Sequence, residues 1–153
     1  MRGREAEAGF TLLEIICVLA IIGLLASLVL PAIPRATSPT RLAAYAVDVA
    51  ALLKRDRSAA IRGRAPIATI LDSEQRIVRS GADSSMVKIP ADVFFDALLA
   101  ERCEGRKAAA AIEFFPSGVS CGGVIAISRQ GVGFQIRVNW LTGGIEVVPI
   151  HAS

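Results

Sequence analysis

The chain has 153 residues, a formal net charge of +3, 53% hydrophobic and 20% charged residues, and one histidine, His151. This length allows one ordinary domain with an appendage, and so small a net charge gives little reason to expect a nucleic-acid partner. A lone histidine leaves little from which to build a zinc site or a catalytic triad, and neither a GxGxxG nor a P-loop sequence occurs. The composition therefore disfavours an enzyme, a cofactor and a small-molecule substrate.

An uncharged apolar run, IICVLAIIGLLASLVL, covers residues 15–30 and reaches 19 residues when counted through Ile33. A helix needs about 20 such residues to cross a hydrocarbon core. Three interpretations compete: a secretory signal that is discarded, a plain membrane anchor, or a short leader cut before the run. A discarded signal is disfavoured, because ATS at residues 36–38 is a poor small-x-small cleavage site. Basic residues after the run outnumber those before it, so charge alone would place the residues after the run on the cytoplasmic side or leave the orientation ambiguous.

A carboxylate, Glu14, stands at the head of this run, within GFTLLEII at residues 9–16. An ionised group inside a membrane segment costs about 2.5 kcal/mol or more at the helix centre, so such groups usually have a partner or a function. The small-to-bulky junction between Gly9 and Phe10 suits cleavage, which would create a cationic amine at Phe10. We predict that Glu14 and an amine of this kind neutralise each other, within one chain or between neighbouring helices. The alternative is an interfacial glutamate that snorkels to water.

The sequence GFTLLEIICVLAIIGLLASLVLP, residues 9–31, resembles the class III leader of type IV pilins and of the pseudopilins of type II secretion. The resemblance implies that a prepilin peptidase cuts between Gly9 and Phe10 on the cytoplasmic side and methylates the new amine of Phe10. It also implies that Glu14 pairs with the N-terminal amine of an adjacent subunit during assembly. Two acidic residues in the leader depart from the more basic leader of this class.

A second helix is predicted after the prolines that follow the apolar run. Thr37 or Ser38 fits its N-cap, Pro39 fits its first turn, and Gly63 fits its end. Spacings of three and four place one apolar stripe on this helix: Leu42, Ala46, Val49, Ala50, Leu53, Ala60 and Ile61. The basic residues of this region are predicted to form its solvated face, with an anionic partner or membrane headgroups as the alternative: Arg35, Arg41, Lys54, Arg55, Arg57, Arg62 and Arg64.

The remainder of the chain indicates β-structure. Residues 66–71 and 76–79 flank DSEQ and predict a hairpin. Strand patterns also occur at residues 111–115, 124–129, 134–139 and 145–150, separated by turns rich in Gly and Pro. Residues 93–102 are ambiguous and fit a short helix, and Trp140 is predicted to lie in the core, with a subunit interface as the alternative. The fold class is therefore α+β, with an antiparallel meander packed on the amphipathic helix.

The stretches IEFFPSGVSCGGVIAI, residues 112–127, and WLTGGIEV, residues 140–147, are similar to the C-terminal half of the H-type minor pseudopilins. That family shows a Phe-x-Pro-x-Gly turn, a Gly-Gly before a strand and a late aromatic–Gly turn. The resemblance is poorest at residues 80–107. It implies a pilin-like fold with four parts: a prepilin leader at 1–9, a transmembrane and filament-core helix at 10–33, an amphipathic helix at 34–64, and an antiparallel β-rich periplasmic head at 65–153.

The function that this resemblance implies is structural. A minor pseudopilin near the tip of the type II secretion pseudopilus would support the export of folded proteins. Its partners would be other major and minor pseudopilins, the prepilin peptidase and the bacterial inner membrane, crossed once with the head in the periplasm. The alternative is a minor type IV pilin that binds DNA for uptake through a basic cluster, which Glu101 and Glu104 interrupt: Arg102, Arg106, Lys107, Arg129 and Arg137.

The remaining candidate site residues are three cysteines, considered for a disulfide, and one acidic residue, considered for a metal site. Cys17 lies in the apolar run and is expected to behave as a small hydrophobe. Cys103 and Cys121 would form a disulfide if the head is exported to an oxidising compartment, and two free thiols are the alternative. The major pseudopilins bind calcium in an acidic C-terminal loop, but only Glu146 follows Gly144 here, so no metal site is predicted.

Overall fold

The computed structural model describes residues 11–29, 36–108 and 110–151. The chain divides into two compact units, residues 1–36 and 37–153. In the first unit, helix α1 spans Leu12–Val29. Within the described part of the chain, no helix combines the length and the apolar character needed to cross a membrane.

The second unit is a helix packed on antiparallel sheets, which confirms the α+β fold class. Helix α2 spans Pro39–Gly63. Ten strands follow in chain order: β1 Ile67–Asp72, β2 Ile77–Arg79, β3 Met86–Lys88, β4 Phe94–Leu99, β5 Arg102–Cys103, β6 Arg106–Lys107, β7 Ala111–Phe114, β8 Gly123–Arg129, β9 Val132–Val138 and β10 Ile145–His151.

The strands form two four-stranded sheets and one small hairpin, rather than the single meander predicted from the sequence. One sheet has the order β3-β2-β1-β7, the other has the order β10-β9-β8-β4, and β5 pairs with β6 alone. The predicted hairpin of β1 and β2 is confirmed, with Leu71 opposite Val78. The predicted meander is confined to β8, β9 and β10, because β7 leaves it to pair with β1.

The prediction of a short helix at residues 93–102 is wrong. This segment forms β4, which pairs with β8 so that Phe95 lies opposite Ile127 and Leu98 opposite Val124. Its side chains alternate as a strand requires: Phe95 is buried and Phe94 and Leu98 are exposed. Apolar residues occupy both inward-facing and outward-facing positions of this strand, so the sequence shows no polar–apolar alternation.

The predicted cap of α2 is confirmed. The side chain of Ser38 accepts a hydrogen bond from the Arg41 N–H at 3.3 Å, and Pro39 occupies the first turn. The last helical residue is Gly63, and the left-handed residue that follows it is Arg64, with φ 50°. These signals set both ends of the helix within its own sequence.

The buried face of α2 follows the predicted stripe with one error. Leu42, Ala46, Val49, Ala50, Leu53 and Ala60 are all buried, as the spacing predicts. Ile61 is 40% exposed, because the buried face continues through Asp56 and Ala60 instead. Leu52 is a further fully buried residue that the stripe left out.

Arg57 was predicted to be solvated, but its side chain instead links α2 to two turns of the head. Its side chain donates to the carbonyl oxygens of Gly118 and Thr142, at 3.0 Å in each case. These carbonyls lie in the turn before β8 and the turn before β10. The basic residue therefore fastens α2 to two turns of the head, a role that charge alone did not indicate.

A buried carboxylate joins α2 to the first sheet. Asp56 is fully buried, and its oxygens accept hydrogen bonds from the hydroxyls of Thr69 and Ser80 and from the N–H of Gly81. The Thr69 bond measures 2.6 Å. A buried charge is tolerated only when it is hydrogen-bonded in this way. Gly81 fits the arrangement because a Cβ there would stand 2.2 Å from the Ala68 carbonyl oxygen.

We expect Asp56→Ala to lower the free energy of unfolding of the head by about 3 kcal/mol, because three donors lose a buried charged acceptor. Chemical denaturation of the detergent-solubilised full chain measures this. Asp48→Ala is the matched control, since Asp48 lies exposed on the same helix. Equal stability of the two variants would contradict the role given to Asp56.

A polar clamp fixes the residue that leads into α2. Asp92 accepts from the N–H of Thr37 at 2.7 Å and from the Thr37 hydroxyl at 3.0 Å. Arg129 pairs with Asp92 at 3.0 Å and donates to the Thr37 carbonyl oxygen at 2.8 Å. The Thr37 hydrogen bonds, with a contribution from Arg129, lower the pKa of Asp92 below its ordinary value of 3.8.

A lowered carboxyl pKa contributes stability above the unfolded pKa, and that stability is lost as pH falls through the folded value. We therefore expect Asp92→Asn to lower the midpoint of urea unfolding at pH 7, and the difference from the wild type to close as the pH falls below 3.8. Asp96→Asn on the exposed face of β4 is the control. A difference that stays constant across this pH range would refute the charge-dependent clamp.

Candidate assembly site

Helix α1 carries an apolar surface that no other described residue of its own unit covers. Every described side chain from residue 11 to residue 27 is exposed. Leu12 is 79% exposed and Ile21 is 57% exposed, and their spacing of nine residues places them on opposite sides of the helix. A helix that is apolar all round must be buried by lipid or by other protein. The described surface of α1 is therefore a contact surface.

The helix start explains why Glu14 sits where it does. The Glu14 N–H donates to the hydroxyl of Thr11 at 3.3 Å and to the Thr11 carbonyl oxygen at 3.0 Å. Thr11 and Glu14 thus have the spacing of a capping box, and the Thr11 half of it is formed. Among the described residues, none donates a hydrogen bond to the Glu14 carboxylate. A carboxylate in the first turn also suits the positive end of the helix dipole.

The proposed cleavage point lies outside the described residues. Both Gly9 and Phe10 precede Thr11, the first residue that the structure describes. Cleavage and methylation there remain predictions. Glu14 is the fifth residue after this point in the sequence, and it lies in the first turn of α1.

The structure joins Cys103 and Cys121 in a disulfide, with Cα atoms 5.5 Å apart. The bond would hold the β5–β6 hairpin against the segment that enters β8. Glu113 is close to both sulfur atoms, all three ligand atoms lying within 4.8 Å of one another. Because the sulfurs bind each other, this group offers a metal ion only the Glu113 carboxylate, which also lies 3.8 Å from Arg106. Cys17 is free and exposed on α1.

We expect non-reducing peptide mapping to find Cys103 linked to Cys121. Closing a loop with a sequence separation of 18 residues stabilises by about 3 kcal/mol in the chain-entropy model, so Cys103→Ser with Cys121→Ser should lower the free energy of unfolding by that amount. Cys17→Ser should leave the unfolding of the head unchanged. Recovery of both head cysteines as free thiols would overturn the pairing.

Two of the basic residues named for DNA binding are engaged within the head. Arg129 holds Asp92 and Thr37, as described above, and Arg137 donates to Gln135 at 2.7 Å and 3.1 Å. Arg106 lies 3.8 Å from Glu113 with its side chain 71% exposed, Arg102 is exposed, and the side chain of Lys107 lies outside the described atoms. Guanidinium groups occupied in this way offer phosphate a weaker site than a free cluster would.

The prediction that Trp140 lies in the core is wrong. Its side chain is 66% exposed, and Leu141 beside it is 60% exposed. The reason is the turn that follows β9: Asn139 accepts hydrogen bonds from the N–H groups of Leu141 and Thr142, at 2.9 Å and 3.0 Å. This turn carries the indole past the end of the sheet. The interface alternative for Trp140 agrees with its position.

Comparison with known sequences finds two similarities, one in the N-terminal segment and one along nearly the whole chain. Residues 4–30 match the family described as the prokaryotic N-terminal methylation motif, and this match spans Gly9, Phe10 and Glu14. Over 149 residues the chain is 29% identical to the type II secretion system protein H of Xanthomonas campestris pv. campestris. The alignment covers 97% of this chain and 87% of that protein.

Comparison with solved structures shows the fold. The minor pseudopilin EpsH from the type 2 secretion system of Vibrio cholerae matches with a TM-score of 0.57 and 12% identity, over 70% of this chain and 95% of that one. The type IV minor pilin FimU of Pseudomonas aeruginosa matches with a TM-score of 0.52 and 18% identity, over 72% and 90% of the two chains. Both carry a pilin-like fold. The chain thus carries the methylation motif, is similar to a type II secretion system protein H along nearly its whole length, and has the fold of EpsH and FimU.

Proposed function

We propose that the chain is a structural subunit near the tip of the type II secretion pseudopilus and that it supports the export of folded proteins. The observation that carries this proposal is the sequence match to a type II secretion system protein H along 97% of the chain. The fold match to EpsH agrees with it. The role is mechanical, and no catalytic step is assigned to any side chain.

Maturation is the first step of this proposal. A prepilin peptidase cuts between Gly9 and Phe10 and methylates the new amine of Phe10, as the matched methylation motif supports. Cleavage leaves the whole of α1 on the mature protein and creates a cationic amine four residues before Glu14 in the sequence. The chain is then held in the bacterial inner membrane by its apolar run, with the head in the periplasm.

Assembly with other major and minor pseudopilins is the second step, and both helices offer surfaces for it. The apolar surface of α1 packs against neighbouring helices when the subunit leaves the lipid. On α2, the exposed side opposite the head includes the small or apolar residues Ala44, Val47 and Ala51, and Val47 is 59% exposed. Glu14 sets the register of this packing, because a buried carboxylate is tolerated only where a cation meets it.

A type IV pilus is the alternative assembly, since the head has the fold of the minor pilin FimU. DNA binding by the five basic residues is disfavoured, because Arg129 and Arg137 are engaged within the head. A salt-sensitive shift of labelled DNA by the purified chain would favour this alternative.

Secretion by a deletion strain tests the proposal. Complementation with the wild type should restore folded exported proteins to the culture supernatant, and the uncomplemented strain should trap them in the periplasm. Normal secretion by the deletion strain would refute the role in type II secretion. DNA uptake measured in the same strains separates the two assemblies.

We expect Glu14→Gln to insert in the membrane and to reach no more than about a tenth of wild-type incorporation, since a lost buried ion pair costs well over 1.4 kcal/mol. Sheared filament fractions, quantified against total membrane protein, measure incorporation. Thr11→Ala is the matched control: it removes the cap of α1, worth about 1 kcal/mol, and keeps the charge. If the two variants assemble equally well, Glu14 acts through the helix start and not through a neighbouring amine.

A further inference from the structure

A groove of about 600 Å³ crosses one end of the sheet β10-β9-β8-β4. A single cross-strand row of side chains runs along it, since Leu98 pairs with Val124, Val124 with Arg137, and Arg137 with Glu146. Residues directly opposite one another in a sheet share a face. The four side chains therefore line one surface, on the outside of the sheet.

Trp140 forms the end wall of this groove. Gly122, with φ +75°, lies beneath it, and a Cβ at Gly122 would stand 3.0 Å from the Cβ of Trp140. Because glycine has no side chain, the Cβ of Trp140 can pack directly against the backbone at Gly122. The Gly-Gly sequence before β8 and the aromatic–Gly turn before β10 thus meet at one place, although they lie far apart in the sequence.

The groove is lined by one cation, Arg137, and one carboxylate, Glu146. Arg137 is turned along its own strand, where Gln135 accepts two hydrogen bonds from its guanidinium. Glu146 is exposed, and among the described residues no cation lies within ion-pair distance of its carboxylate. The exposed indole of Trp140 and the Glu146 carboxylate can each contact a lysine or arginine side chain, while Arg137 in the same row leaves the row without a net charge. Leu98 and Val124 supply apolar contacts beside it.

The size of the groove limits what can bind there. The exposed apolar side chains around it, Leu98, Trp140 and Leu141, offer on the order of 300–600 Å². A stable complex between free proteins needs about 800 Å² on each partner. The occupant must therefore be held nearby by other contacts, as a neighbouring subunit is when the helices pack.

We propose that this groove docks a segment with apolar and basic side chains on the head of a different subunit of the same filament. The proposal rests on the proposed function, because packed helices hold the two heads together. Trp140 and Leu98 bind the apolar side chains of the segment, and Glu146 binds its cation.

Site-specific photocrosslinking of the full chain in its host tests the docking. With the photoreactive side chain at Leu98, we expect a product with another subunit that carries an N-terminal methylation motif. Glu146→Lys should lower the yield of this product about fivefold, and Glu146→Gln about twofold, as expected for a partly exposed cation contact. Glu74→Lys, the same charge change in the exposed turn after β1, should leave the yield unchanged. The amount of each variant in the membrane fraction controls for folding.

A second crosslinking position, Val47 on the exposed side of α2, separates the two proposals. Crosslinks to other subunits from Val47 with none from Leu98 would overturn the docking site and leave the assembly intact. A Leu98 product that is a second copy of this chain or an exported protein, or one that is indifferent to Glu146→Lys, would also overturn it. No subunit product from either position would count against assembly and docking together.

Discussion

The uncovered apolar surface of α1 is the constraint on which the rest of the molecule depends. Ten large apolar side chains between residues 12 and 25 are each at least 47% exposed, and burying each is worth about 1.5–3 kcal/mol. The total, on the order of 15 kcal/mol, equals or exceeds the whole stability of a typical domain. Such a helix does not persist in water alone. In the proposed assembly, lipid would cover these apolar side chains but only a cation would neutralise Glu14, so the carboxylate would distinguish the assembled subunit from one stored in the membrane.

The head is built so that α2 moves with it. Asp56 ties the middle of the helix to the first sheet, Arg57 ties it to two turns, and Asp92 with Arg129 fixes Thr37 at its start. These polar contacts supplement an apolar face that is already buried. Contacts with neighbouring subunits that fix the position of α2 would therefore also fix the position of the sheet that carries the groove.

Local patterns in the sequence accounted for α2, for most of the longer strands and for the β1–β2 hairpin, but not for β4 or for the other strand partners. The cap at Ser38, the end at Gly63 and most of the buried face of α2 follow from spacing and from the chemistry of single residues. Residues 94–99 form a strand because they pair with β8, some 30 residues later. Their apolar residues occupy successive positions, so the sequence showed no polar–apolar alternation. The burial of Asp56 and the links made by Arg57 arise from residues far along the chain, which composition and charge counts cannot identify.

Some residues of the candidate site could likewise be located from the sequence and others could not. Glu14 was conspicuous because a charge in an apolar run is costly. Trp140 was misplaced because the turn set by Asn139 decides its direction. The capping arrangement of Thr11 and Glu14 was present in the sequence and was missed; the Thr-x-x-Glu spacing would have revealed it.

The most direct test is the mass of the mature N-terminal peptide from protein purified out of host membranes. We expect the chain to begin at Phe10, with a methyl group on its amine, and to retain all of α1. A chain that begins after residue 38 would contradict this, because α1 would then be a discarded signal. An uncut chain that still enters filaments would contradict the pairing of Glu14 with the amine of a neighbouring Phe10.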